Sequence, residues 1–411
     1  MSSLIKWFHK EKKIRKINVK VINEDQLLNW KISDSSIYHL SKSFFKIEFF
    51  KFLINKIVFF QPLIIQKDIG ILGIIKKVEN NKDYYLLQSK VEPGNINKVQ
   101  ISPTVQATAS NYKRKHGGKK TNYLKFFLNI NKNATLISRK KLSEHGNKFY
   151  QKKNENFLIE VSGKVKKLKS FEWFSKNDIV KTISKNNILN MDTLSVFSNN
   201  IKKIDNNYSL NSLKNIIKLT TTPKNLIKRN KINLSKLKNW KKDKTGIYDI
   251  KKKLFKIKYV LIETNSREIN SWTQPIISNF DKILNIFIVK DFNGVRHYLL
   301  KSCVQPGFNH IRLTNTISMK MNSKINYDSH ILRSIKKKPK LVNSIYSDEG
   351  GRFFKNQVVN QAVKLGKDEK IKLKKNYVWV SHNQMINLIN RDIITIEARI
   401  LFAICNINKI I

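Results

Sequence analysis

Apolar residues recur at every second position along much of the chain. Over residues 45–60 and again over 254–262, Phe, Ile and Val alternate with charged residues, the two-residue period of a half-buried strand. Each run is followed by a Gln-Pro pair, Gln61-Pro62 or Gln274-Pro275. Proline has no N–H to give a ladder, so the pair is expected at a strand end or edge. Second apolar runs at 69–78 and 283–289 lead through polar turns, Glu79-Asn80-Asn81-Lys82-Asp83 and Asp291-Phe292-Asn293-Gly294, into third runs that stop at Pro93-Gly94 and Pro306-Gly307. Apolar runs joined by Asn, Asp and Gly turns predict antiparallel hairpins. Alternation places Gln88, Lys90 and Glu92 on one face of the first of these third strands. Helical candidates at 173–183 and 379–389 open on Trp173 and Trp379, with Ser175 and Ser381 as N-caps, and further helices are expected at 191–197 and 396–404.

These elements come twice in the same order. Tyr85-Leu86-Leu87-Gln88-Ser89-Lys90-Val91-Glu92-Pro93-Gly94 returns 213 residues on as Tyr298-Leu299-Leu300-Lys301-Ser302-Cys303-Val304-Gln305-Pro306-Gly307. Asn29-Trp30-Lys31 reappears as Asn239-Trp240-Lys241, and Ser143-Glu144-His145-Gly146 has its counterpart in Ser347-Asp348-Glu349-Gly350. A period near half of 411 residues implies two tandem copies of one α+β domain, residues 1–205 and 206–411, each a mixed or antiparallel sheet flanked by helices. Residues 199–234, rich in Lys, Asn, Ser and Thr, are expected to link them.

The formal net charge of +51 points at first to nucleic acid. However, only 11 of the 80 basic residues are Arg, the lysines are spread from end to end, and Asn and Ile are enriched along with Lys. That is the imprint of AT-rich codons rather than a patch built for phosphates, so no specific nucleic-acid partner is expected. The two cysteines, Cys303 and Cys405, make no disulfide framework or metal-ligand spacing. No signal-peptide core lies in the first twenty residues, and residues 44–65 are broken by Lys46, Glu48, Lys51 and Lys56, which excludes a membrane span there. A cytoplasmic protein is expected.

The densest polar cluster runs from Gln88 through Lys90, Glu92 and Asn95, then through Thr104, Gln106, Ser110, Asn111, Tyr112, Arg114, His116 and Gly117-Gly118. Such a mixture suits a polar, phosphorylated ligand. Arg114 offers a planar fork to diphosphate oxygens, and Gly117-Gly118 lets backbone N–H groups approach an anion. Glu92 reads equally as a reactive carboxylate or as an acceptor for backbone N–H groups of the Pro-Gly turn.

Gln61-Pro62, Gly70-Ile71-Leu72-Gly73, the run from Gln88 to Asn95, Ser102-Pro103-Thr104-Val105-Gln106-Ala107-Thr108, Ser110-Asn111-Tyr112 and Arg114-Lys115-His116-Gly117-Gly118 closely resemble the first half of NDP-hexose 2,3-dehydratases. Trp272-Thr273-Gln274-Pro275, Gly350-Gly351-Arg352-Phe353-Phe354 and Trp379-Val380 resemble their second half. The resemblance implies a bacterial deoxysugar enzyme of two tandem Nudix-like domains in a homodimer. It implies a dTDP- or other NDP-linked 4-keto-6-deoxyhexose as substrate, its pyrophosphate bound but not cut, with neither cofactor nor metal. Such an enzyme takes the carbon-3 proton, acidified by the ketone, expels the 2-hydroxyl, and hands an unstable 3,4-diketo sugar to a 3-ketoreductase.

The resemblance makes Glu92 the first candidate for base or acid, with Tyr112 and His116 as alternatives. Lys90, Gln106 and Asn111 become substrate donors, with Gln88, Asn95, Thr104, Ser110, Arg114, Gly117 and Trp272 as further binding residues. The reactive pocket is expected in the first copy, because the second has Lys301, Cys303 and Gln305 for Gln88, Lys90 and Glu92; Glu349 and Arg352 join it if the pocket lies between copies or across a dimer. The sequence departs from the family pattern at three positions: His145 where Gln is usual, and Glu155 and Leu194 where Arg is usual. Two cations are thus expected to be missing from a diphosphate site.

Overall fold

The computed structural model describes residues 2–112, 120–130, 134–224, 226–323 and 329–410, without the side chains of Asn111 and Ser329. It is mixed α+β, dominated by sheets. One seven-stranded sheet has the order Ala134–Ser143, Lys153–Val161, Gly70–Glu79, Lys82–Val91, Phe171–Ser175, with Val99–Ser102 and Val105–Ala107 added at the ends of the central hairpin. A second runs Lys340–Ser347, Gln357–Lys364, Ile283–Phe292, Val295–Cys303, Tyr377–Ser381, with Arg312–Thr314 and Ile317–Lys320 added in the same way. In both, one parallel pairing, Lys153–Val161 on Gly70–Glu79 and Gln357–Lys364 on Ile283–Phe292, stands among antiparallel neighbours.

Both faces of these sheets are covered, as alternation along the central strands shows. Tyr85 and Leu87 join Phe287, Val289, Tyr298 and Leu300 in one core with the helices Met191–Ser198 and Ile396–Asn406, while Leu86 and Leu299 face separate cores on the outer sides. Roughly 25 cal/mol per Å² of apolar surface removed from water favours this closure.

The two smaller sheets exchange strands. Ile17–Val21 pairs with Phe255–Thr264, and Ile227–Ile232 pairs with Lys46–Ile54, so each half lends a strand to the sheet of the other. The segment expected to be a linker therefore holds this strand and a helix, Leu213–Lys218. Its Asn/Lys-rich composition hid an edge strand that is only half buried.

Two local expectations also change. Gln61-Pro62 lies inside the strand Ile57–Ile65, where Pro62 faces Phe49, rather than closing it. The prolyl nitrogen is tolerated because, among the described residues, the strand paired on its other side, Phe149–Tyr150, joins it only at Ile64 and Ile65. Trp173 and Trp379 belong to strands, with the helices Lys176–Thr182 and His382–Asn390 starting beyond them. The caps themselves are in place: Ser175 and Ser381 accept the N–H of Asp178 and Gln384.

Candidate active site

Besides the exchanged strands and the shared core, the Pro-Gly turns clasp the two halves. Gly94 donates its N–H to Gly350 O at 2.7 Å and accepts from Lys355, while Gly307 donates to Gly146 O at 2.6 Å and accepts from Gln151. A Cβ on Gly94 would lie 1.7 Å from Phe353 O, and one on Gly307 would lie 1.8 Å from Phe149 O, so only glycine permits either contact. The first clasp sets Glu92 beside the loop carrying Glu349 and Arg352.

A cavity of about 810 Å³ opens at this clasp, walled by both halves. That is ample for a nucleotide sugar. Gln88, Lys90, Glu92, Thr104 and Gln106 reach it from the first half, Trp272, Glu349 and Arg352 from the second. The shared face of Gln88, Lys90 and Glu92 is therefore a cavity wall.

Glu92 is buried and does not cap the Pro-Gly turn. Its Oε1 accepts from Gln106 Nε2 at 3.1 Å and lies 3.3 Å from Lys90 Nζ, while Oε2 is buried with no described partner. Lys90 donates to Gln106 O at 2.9 Å, and Asn190 holds the Gln106 side-chain oxygen at 2.9 Å. Burial lowers the Lys90 pKa, against the pull of Glu92, which makes its N–H groups stronger donors. Glu349, held by the N–H of Gly351 at 2.9 Å, has its pKa pushed up to about 7 by burial and then by Glu92.

Besides the candidates Arg352 and Trp272, the cavity holds Asp192, Glu144, Lys152 and Arg267, which were not candidates in the sequence. Asp192 lines it, 3% exposed, and no described donor reaches its carboxylate. Burial raises its pKa well above the usual range, with Glu144, Glu349 and Glu92 adding to the effect and Lys90 opposing it. Its position two residues past the N-cap Asn190 was the only available pointer. Arg267 donates to Val91 O at 3.2 Å, and Lys152 donates to Asp68 O. Glu144 accepts from Asn154 at 2.8 Å. Arg352 stacks its guanidinium 4.7 Å over Phe45 and reaches Gln66 at 3.3 Å, and Trp272 donates its indole N–H to Gln274 at 2.9 Å.

Other expected residues stand elsewhere or are otherwise engaged. Thr104 lines the cavity, but its hydroxyl donates to Leu86 O and accepts from Ile75 N, so it braces the sheet. Asn95 is turned inward to hold Lys90 O at 3.1 Å. Ser110 pairs with Thr108 and borders a neighbouring hollow of about 580 Å³ that shares Phe44, Phe45 and Gln66 with the cavity. Tyr112 packs on the outer core of the first sheet, away from the described lining, and burial raises its pKa. Arg114, His116, Gly117 and the side chain of Asn111 lie outside the described residues.

Neither of the two departures from Arg is at the described cavity wall. Glu155 forms a forked pair with Arg139, its two oxygens at 2.9 and 3.0 Å from Nη2, on the strand face opposite Asn154 and Asn156. Leu194 is fully buried in the central core. The described lining carries cations from elsewhere: Lys90, Lys152, Arg267 and Arg352.

The family profile of NDP-hexose 2,3-dehydratase matches residues 1–199 and 216–405. The chain is similar to the dTDP-4-dehydro-6-deoxy-alpha-D-glucopyranose 2,3-dehydratase of Saccharopolyspora spinosa, at 28% identity over 92% of this chain and 86% of that protein. Proteins of the same description from Amycolatopsis orientalis and Streptomyces violaceoruber are 30% and 28% identical, over 84% of this chain and 75% and 82% of theirs. Among solved structures, an ADP compounds hydrolase overlaps 33% of this chain and 75% of its own at 15% identity and a TM-score of 0.22, too slight a likeness to bear on fold or function. Among the described residues, no helix is long and apolar enough to cross a membrane.

Proposed function

The chain belongs to the NDP-hexose 2,3-dehydratase family, and we propose that it is a hydro-lyase that removes water across carbons 2 and 3 of a dTDP-linked 4-keto-6-deoxyglucose. The dTDP-linked substrate follows its relatives. The observation that carries the reading is the set of Lys90, Glu92, Asp192 and Glu349 lining one cavity where the two halves clasp, with Glu92 and Asp192 buried. A carbonyl-directed elimination needs such a set: a base for the carbon-3 proton, a donor for the charge growing on the carbon-4 oxygen, and an acid for the departing hydroxyl.

Glu92 is the base, its unpartnered Oε2 free to take the proton. Lys90 gives its remaining N–H to the ketone oxygen, and Arg267 and Arg352 offer positive charge to the diphosphate. The shared strand order of the two seven-stranded sheets supports a duplication, and we assign residues 1–205 and 206–411 to two Nudix-like units that each lend the other a strand. The 3,4-diketo product is short-lived and calls for a 3-ketoreductase.

Purified protein given dTDP-4-keto-6-deoxyglucose, a 3-ketoreductase and reduced nicotinamide is expected to consume the nicotinamide and yield a 2,6-dideoxy sugar by NMR. Absence of turnover with dTDP-, UDP-, CDP- and GDP-linked ketosugars would overturn the reading.

A further inference from the structure

We propose that Asp192 is the general acid of the elimination, delivering its proton to the departing 2-hydroxyl; this rests on the dehydratase reading above. The argument comes from the internal repeat. Asp192 stands two residues past the helix N-cap Asn190, and Glu397 stands two residues past the N-cap Thr395 of the corresponding helix. Glu397 is neutralised where it sits: His145 Nδ1 is 3.1 Å away and Gln305 Nε2 lies 3.3 Å from each oxygen. The clasp contacts make Gly146 the counterpart of Gly350, so His145 corresponds to Glu349, and Gln305 corresponds to Glu92.

Around Asp192, then, two of the donors that hold Glu397, His145 and Gln305, are replaced by the carboxylates Glu349 and Glu92. Asp192 is left 3% exposed, on the cavity wall, with no described donor. Glu92 is engaged by Gln106 and Lys90, and Glu349 by Gly351. Buried, with Glu144, Glu349 and Glu92 around it on the cavity and no described donor to hold its charge, the Asp192 carboxyl favours its protonated form.

The step balances. Glu92 removes the carbon-3 proton, leaving its electron pair as a C3=C4 enolate whose oxygen charge Lys90 holds; the carbonyl then re-forms, the pair moves into a C2=C3 bond, and the C2–O bond breaks as Asp192 protonates its oxygen to release water. Glu92, now protonated, then returns a proton to carbon 2 while Asp192 takes the proton of the enol hydroxyl at carbon 3. This gives the 3,4-diketone and restores both groups.

Asp192→Asn should lower coupled turnover at least about 100-fold. Exchange of the carbon-3 proton with deuterium from solvent, followed by NMR, should stay within about tenfold of wild type, because the base is untouched. Fluoride release from the 2-deoxy-2-fluoro substrate should also stay within about tenfold, since fluoride leaves without protonation. Glu92→Gln should abolish all three, and retained exchange in Asp192→Asn shows that its site is folded. Turnover within about tenfold of wild type, or loss of exchange and fluoride release together with turnover, would overturn the assignment. Wild-type protein inert to every ketosugar removes the reaction itself, and the assignment falls with it.

Discussion

Where Pro93-Gly94 meets Gly350, Glu92, Asp192 and Glu349 stand around Lys90 at an open cavity. Where Pro306-Gly307 meets Gly146, the matching positions hold Gln305, Glu397 and His145, and charge is closed on itself. His145 lies between Glu397 and Asp348, and Lys148 reaches Asp348 at 2.6 Å. Phe308, which replaces Asn95, plugs the seam: a Cβ on Gly146 would lie 2.3 Å from it, and Arg312 stacks 4.3 Å above its ring. Both sites are rich in buried polar groups, so polarity does not distinguish them. The difference is charge compensation: in one cluster Glu397 and Asp348 each face His145 or Lys148, whereas the other leaves a carboxylate and half of another for a ligand.

The largest expected effect separates Glu92 from its counterpart. Glu92→Gln should cut turnover by about 1000-fold, whereas Gln305→Glu, in the closed cluster, should change it by less than about tenfold in the same assay. Equal losses would make the two seams equivalent and break the contrast.

Next comes pH, because His145 and Glu349 occupy corresponding positions with opposite chemistry. The Glu349 carboxyl is pushed up to about 7, and the negative charge it gains there helps draw the carbon-3 proton away during the elimination, so kcat/KM should rise through about pH 7. Glu349→Gln should flatten that rise. Burial alone would lower the His145 pKa, but Asp348 and Glu397 outweigh it and raise the value above 6.5. A raised folded value stabilises the protein below pH 6.5, and this contribution fades as pH climbs through the folded value. Asp348 and Glu397 are lowered from 3.8 and 4.5 by the same contacts against the opposing effect of burial, so their contribution is lost only in acid. Urea midpoints should therefore fall above pH 6.5, and His145→Gln, which installs the usual family residue, should remove that alkaline decline without altering activity's dependence on Glu349.

The smallest effect concerns the departure at Glu155. Because its pair with Arg139 lies on a partly exposed strand face away from the described cavity lining, Glu155→Arg should alter stability by no more than about 1 kcal/mol and turnover by less than about twofold. A large gain in turnover would place that side chain in the reaction after all.

Much of this was legible along the chain. The two-residue period marked the central hairpins, hydroxyls marked the helix starts at Ser175 and Ser381, and the shared face of Gln88, Lys90 and Glu92 followed from alternation alone. What escaped was whatever depends on a partner distant in sequence. Ile227–Ile232 looks like a linker because its apolar neighbours belong to the strand Lys46–Ile54. Thr104 and Asn95 look like ligand donors until Leu86 O and Lys90 O are seen to occupy them. Asp192 looks like an ordinary first-turn helix acid.

Residue order and spacing thus determined the strands, the caps, the internal repeat and the likeness to a family, because those depend on local periodicity and on identities that can be compared position by position. Only the tertiary structure decided which of the two related clusters is open, since that turns on which charges meet. Whether a buried carboxylate finds a histidine or another carboxylate across the clasp is set by residues some two hundred positions apart, and it is their pairing that separates a site from a strut.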